Sequence, residues 1–253
     1  MSLDRREGWR AKRVLITGAA SGIGLACARR LAEDGPQLVL LGRTDVDEPA
    51  GDETTCIRGA VSGAGVADCL AQAVLKFEGL DAAINCAGVK GDLIPTGDQE
   101  DDAHDARYTV NALGACLALK SELRQMIAQR FGAIVNVSSI FGIRSSSGFG
   151  LYGATKRAVA GLTKAAAFAA AKYGVRLNAV APGPVDRPSF RDVFSVLERS
   201  SPVSPLGRFA EAEEIADAMF WMAGGEASSV TGAIAPVDCG LGAQERHAGA
   251  ALR

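Results

Sequence analysis

Tyr152 and Lys156 stand four residues apart in the stretch Tyr-Gly-Ala-Thr-Lys. On a helix, that spacing puts a phenol and an ammonium on one face. A free tyrosine ionises near pH ~10. An adjacent cation favours the phenolate, so its pKa is expected to fall toward operating pH. Such a phenol can give a proton to a carbonyl oxygen or take one from an alcohol. Ser139 lies thirteen positions earlier, directly after Ser138. A hydroxyl at the carboxyl end of a strand could donate a hydrogen bond to the same oxygen. A serine-hydrolase reading fails, because there is no GxSxG elbow and the only histidines are His104 and His247. They lie far apart and HExxH is absent, so no metal is expected.

A second cluster suits phosphate. Gly18, Ser21, Gly22, Ile23 and Gly24 lie between an apolar, β-branched run (14–16) and a helical pattern (25–33). A dinucleotide pyrophosphate needs a tight turn, close backbone approach and free N–H groups at a helix start. Glycines supply the first two, and the dipole of a helix beginning near Ile23 supplies the third. The spacing is GxxxGxG and not the commoner GxGxxG; the strand–turn–helix context is what favours a nucleotide site. At the end of the second strand, where an acidic residue would bond the ribose of NAD, stand Gly42, Arg43 and Thr44. A guanidinium can hold a 2′-phosphate in a forked geometry. NADP is therefore the expected cofactor and NAD the alternative, with Asp45 and Asp47 able to pair with Arg43 and blunt the preference.

These side chains need a scaffold. Buried-type strands read at 14–16, 38–41, 82–84, 133–137, 176–180 and 233–237, with another suggested by 56–57 and 60–61. Helical periods fall at 25–33, 66–77, 110–129, 152–172 and 213–223. Residues 44–54 read as a loop in place of a helix, and 184–205 as a loop or lid. Alternating strands and helices predict an α/β fold: one doubly wound, mostly parallel sheet with helices on both faces. The expected organisation is a single domain over 1–253, with tails at 1–12 and about 243–253.

Composition excludes other classes. The chain has 253 residues, 48% hydrophobic and 22% charged, which is globular and not disordered. A net charge of -2 offers no basic excess for nucleic acid. The longest uncharged stretch, 14–28, is too short and too glycine-broken to span a membrane. The charged start lacks a signal-peptide core, so a cytoplasmic location is expected. Six cysteines without CxxC spacing read as reduced core or pocket residues.

Taken together, these residues resemble the short-chain dehydrogenase/reductase family, whose members are of about this length. The resemblance runs from Val14 to about Leu241. Thr17-Gly18-xxx-Gly22-x-Gly24 resembles the family's cofactor turn, and Asn85-Cys86-Ala87-Gly88 its NNAG segment, with Cys86 replacing the second Asn. Asn111, Ser139, Tyr152 and Lys156 match its catalytic set in order and spacing. Pro182-Gly183 with Val185 resembles its loop along the nicotinamide. Pro205 to Arg208, Glu214 to Ala216, Thr231-Gly232 and Val237-Asp238 resemble its C-terminal region.

The resemblance implies a Rossmann-like fold and hydride transfer between a nicotinamide and a carbonyl or secondary alcohol. In that scheme Ser139 polarises the oxygen and Tyr152 moves the proton. Lys156 lowers the tyrosine pKa and holds the nicotinamide ribose, and Asn111 completes a relay through water. It also implies a homo-oligomer, tetramer or dimer, paired through the long helices. A non-catalytic dinucleotide-binding sensor or scaffold is the rival reading, and the intact catalytic set argues against it. Three departures concern the cofactor, one of them the loop 44–54 in place of a helix, which leaves the adenosine end more open. Ala60 stands before Val61 where the family has an adenine-binding Asp, and Arg187 stands where a Thr helps hold the carboxamide. Substrate choice is expected in 90–98, 141–151 and 184–205. Phe141, Ile143 and Phe149 would form an apolar wall there, with Arg144, Arg187 and Arg191 available to an anionic tail or left as a solvated rim.

Overall fold

The computed structural model describes residues 8–9, 12–46, 54–61, 78–145, 148–186 and 204–243. In chain order its first half holds β1 (Arg13–Thr17), α1 (Gly22–Ala32), β2 (Gln37–Gly42), β3 (Thr54–Arg58) and β4 (Ala82–Asn85). Then come α2 (Asp101–Arg107), a π-helical turn (Tyr108–Leu113), α3 (Gly114–Gln129), β5 (Gly132–Val137) and α4 (Ile140–Ile143). The last elements are α5 (Gly150–Ala170), β6 (Val175–Pro182), α6 (Ala212–Ala223) and β7 (Ile234–Val237).

The strands run parallel in the order β3-β2-β1-β4-β5-β6-β7. Central strands buried on both faces read as continuous apolar runs, while the edges β3 and β7 are more exposed. Successive side chains alternate between faces. Ile16, Leu40, Ile84, Val135 and Val180 pack with Ile23 and Leu31 of α1 and Ile215 and Met219 of α6. Leu15, Val39, Ala83, Ile134 and Leu177 pack on the other side with Leu119 and Met126 of α3 and Ala167 of α5. This is the doubly wound α/β sheet expected from the sequence. β1 and β4 are neighbours, and the chain winds outward to opposite sides from them. Such a sheet opens a crevice at the carboxyl ends of that pair.

Several boundaries differ from the expectation. β3 ends at Arg58, and Ala60 and Val61 leave the sheet after Gly59. Helical structure before β5 begins at Asp101 and widens into a π turn before α3. α5 stops at Ala170, and Gly174, at φ +75, turns the chain into β6. The expected helix 66–77, residues 47–53 of the first loop and residues 187–203 of the lid lie outside the described residues. Within the segment read as an N-terminal tail, Trp9 is buried against Phe220 of α6, ring centroids 5.0 Å apart. Among the described residues no helix is long and apolar enough to cross a membrane.

Candidate active site

The glycine turn forms one wall of the crevice. Gly18 and Gly22 take positive φ, +70 and +54. A Cβ on Gly18 would lie 2.7 Å from the Ala87 nitrogen, and one on Gly24 would lie 2.2 Å from the Gly18 oxygen. Only glycine lets α1 begin this close to the β4 loop, and that closeness presents the helix N-terminus to the cleft. The cleft has a volume of about 650 Å³, within the usual range for ligand sites. Gly18, Ser21, Ile23 and Gly24 line it on one side and Ala87 and Gly88 on the other. Arg43 and Val61 line its outer end, and Pro182, Gly183 and Val185 its inner end. Arg43 is exposed there. Asp45 lies 3.6 Å from Arg58, and among the described residues no ion pair engages Arg43.

Ser139, Tyr152 and Lys156 line the inner end too. β5 delivers Ser139, which caps α4 by accepting a hydrogen bond from the Phe141 N–H at 3.2 Å. α5 delivers the other two from one face. Lys156 is buried, its Nζ donating to the Val137 carbonyl at 3.0 Å and lying 5.9 Å from the Tyr152 ring centroid. Burial pulls its ammonium down to about 8, and Cys86 nearby offsets part of that shift. Ser138 donates to the Lys156 carbonyl at 2.9 Å and so ties β5 to α5. Asn111 sits in the π turn, a distortion common at functional sites. Its amide accepts from Val89 N–H at 2.8 Å and donates to the Val89 carbonyl and to Thr155 Oγ1. A Cβ on Gly88 would lie 3.2 Å from Asn111 Oδ1 and 3.3 Å from Lys156 Nζ, so both groups meet behind that glycine.

The model of the family described as enoyl-(acyl carrier protein) reductase matches residues 18–242. Cis-4-hydroxycyclohexanecarboxylate dehydrogenase of Sinomonas cyclohexanicum is 37% identical over 246 residues, covering 92% of this chain and 98% of that protein. The chain belongs to the short-chain dehydrogenase/reductase family. Among solved structures of this fold, ElxO with NADP bound is 27% identical, with a TM-score of 0.86, covering 92% of this chain and 100% of that one. NAD+-bound xylitol dehydrogenase is 30% identical, with a TM-score of 0.83, covering 90% and 98%. As a short-chain dehydrogenase/reductase, the protein is a hydride-transferring oxidoreductase.

Two residues expected at the site are used differently. Asn85 does not line the cleft. Strand register sets Thr17, Asn85 and Asn136 side by side on β1, β4 and β5. Asn85 accepts from Thr17 Oγ1 at 3.2 Å and donates to Asn136 Oδ1 and Glu122 Oε2, each at 3.0 Å. Asn136 donates to Thr163 at 2.9 Å. This buried row braces the floor of the site, and Thr17 passes the bracing on by accepting from the Ala87 N–H. Arg144, read from the sequence as available to an anionic tail or left on a solvated rim, donates instead to the Leu241 and Gly242 carbonyls. Arg187 and Arg191 lie outside the described residues.

Sequence reasoning passed over Glu122, Asn136 and Thr163. A carboxylate in the buried α3 stripe Ala118–Glu122–Met126 was the available signal. It also passed over Gly91. A Cβ there would come within 2.5 Å of Tyr152 Cβ and 2.7 Å of Cγ. Gly91→Ala should therefore displace the tyrosine and lower kcat by about 10²-fold, the size expected for ~1 Å of misplacement. Cofactor affinity should stay near native. Steady-state kinetics with cofactor titration checks this, and a native kcat would show that the contact relaxes harmlessly.

Proposed function

We propose that this short-chain dehydrogenase/reductase is an NADP-dependent oxidoreductase that interconverts a carbonyl compound and a secondary alcohol. The observation that carries the reading is one cleft lined by both the glycine turn and the set Ser139, Tyr152 and Lys156. The residues present fit a dinucleotide. Gly18 and Gly24 leave no room for side chains where the α1 N-terminus faces the cleft, as a pyrophosphate cradle requires. Gly18, Ser21, Gly22, Ile23 and Gly24 would hold the pyrophosphate. Arg43 would take the 2′-phosphate, Val61 the adenine, Ala87 and Gly88 the adjoining ribose, and Pro182, Gly183 and Val185 the nicotinamide side. When bound, the nicotinamide supplies or accepts the hydride.

The chain supplies orientation and the proton. Ser139 donates a hydrogen bond to the substrate oxygen and polarises it. Tyr152 delivers the proton to that oxygen in reduction and removes it in oxidation. The Lys156 charge lowers the cost of the phenolate that results. Asn111 fixes the segment at Val89 against α5 through Thr155, which keeps Lys156 and Gly88 in register. Asn111, Ser139, Tyr152 and Lys156 are thus assigned the catalytic work.

Titration with both cofactors tests the selectivity. NADPH should bind more tightly than NADH, and Arg43→Ala should cost NADPH about 10- to 100-fold, the worth of a charge-assisted hydrogen bond, while sparing NADH. Equal affinities would hand the site to the NAD-dependent alternative. Tight NADPH binding without turnover of any carbonyl or alcohol would favour the sensor reading. The same proposal places the enzyme in the cytoplasm as a homo-oligomer. Its support is Phe168 of α5, 90% exposed on a helix otherwise rich in alanine, a surface suited to cover by a second copy.

A further inference from the structure

Beyond Tyr152 the cleft changes character. The rings of Phe141 and Phe149 stack with centroids 4.4 Å apart and planes 14° from parallel. Phe149 then meets the Tyr152 ring edge-on, centroids 6.4 Å apart at 65°. A continuous aromatic surface therefore begins at the ring of the proton donor. It is built rigidly. A Cβ on Gly91 would lie 3.2 Å from Phe149 Cδ1, one on Gly150 would lie 2.3 Å from Thr96 Oγ1, and Gly148 presses on Leu93 in the same way. The Ile94 N–H also donates to the Gly148 carbonyl at 3.0 Å. Three glycines thus let residues 91–96 lie directly on residues 148–150, and the wall is formed before any ligand arrives.

We infer that this wall selects a compact apolar ring carrying its carbonyl or hydroxyl, a cyclohexanone or cyclohexanol type of substrate, over polyols and over open-chain ketones. The inference rests on the hydride-transfer reading above. Ser139 and Tyr152 serve the reacting oxygen. Lys156 Nζ is buried and donates to the Val137 carbonyl, and among the described residues on this side of the cleft the one further charged side chain is Lys90, exposed at the rim. Each further hydroxyl of a polyol would leave water without a partner, a loss of about 10- to 100-fold per group. An open chain would lose free rotations that a ring has already given up, roughly another tenfold.

The test compares cyclohexanone, 2-hexanone and D-xylulose with NADPH, alongside saturation-transfer NMR of cyclohexanol on the NADP+ complex. Cyclohexanone should lead in kcat/KM by about tenfold over 2-hexanone and by about 10⁴-fold or more over the ketose, whose four hydroxyls each forfeit about tenfold or more. Phe149→Ala should raise its KM about tenfold without changing NADPH affinity. Turnover in which the ketose or the linear ketone equals the ring overturns the inference and leaves hydride transfer standing. Saturation transfer to cyclohexanol that Phe149→Ala abolishes, without turnover of any carbonyl, overturns hydride transfer and supports the ring site. Neither transfer nor ring preference overturns the ring assignment outright.

Discussion

Tyr152→Phe should lower kcat about 10³-fold, or about 4 kcal/mol of barrier, while leaving NADPH affinity within about twofold of native. The substitution removes one hydroxyl and keeps the ring. The edge contact with Phe149 and the position over Lys156 Nζ both belong to the ring, so the fold of the site should persist. What disappears is the only group assigned to move the proton at the substrate oxygen. Ser139 can still donate a hydrogen bond, which polarises a carbonyl but completes no proton transfer. Burial sets the Lys156 ammonium near 8, so its charge supports a Tyr152 phenolate below that pH and fades above it. Stopped-flow NADPH oxidation together with cofactor titration separates binding from chemistry. A native rate in the variant would remove Tyr152 from the mechanism.

The parts legible in the sequence obey local rules. Gly18, Gly22 and Gly24 announce a turn because backbone geometry demands glycine there. Central strands announce themselves as apolar runs because both faces are covered. Tyr152 and Lys156 share a face by helical spacing alone. The illegible parts depend on which strand lies beside which. Thr17, Asn85 and Asn136 form one polar row only because register aligns β1, β4 and β5, and no spacing within the chain reports that. Asn85 therefore read as a cofactor ligand when its amide is spent inside the sheet. Arg144 read as a rim charge because its carbonyl partners lie almost 100 positions away, at separations of 97 and 98. The π turn at Tyr108–Leu113 was hidden because a helical period survives one extra residue.

Glu122 gives the second large effect, and it is one of stability. Its side chain is fully buried in the α3 stripe; Oε2 accepts from Asn85, and Oε1 has no partner among the described residues. Burial pushes the carboxyl up from 4.5 to about 7, with the Asn85 hydrogen bond opposing. The folded protein therefore keeps this proton across a range where the unfolded chain has released it. The stability from the protonated form is fully present below pH 4.5, declines as pH rises toward 7 and is gone above it. The shift corresponds to about 3 kcal/mol. Glu122→Gln has nearly the same shape and can still accept from Asn85, but it carries no titrating proton. Measuring both proteins by urea unfolding at pH 5 and pH 8 cancels every group they share, Lys156 included. From pH 5 to pH 8 the wild type should lose about 3 kcal/mol relative to Glu122→Gln, and the variant should be the more stable of the two at pH 8. Parallel pH dependences would mean that the carboxyl is already ionised inside the fold, with a cation or water answering it, and the buried row would then be anchored on a charge instead of a neutral acid.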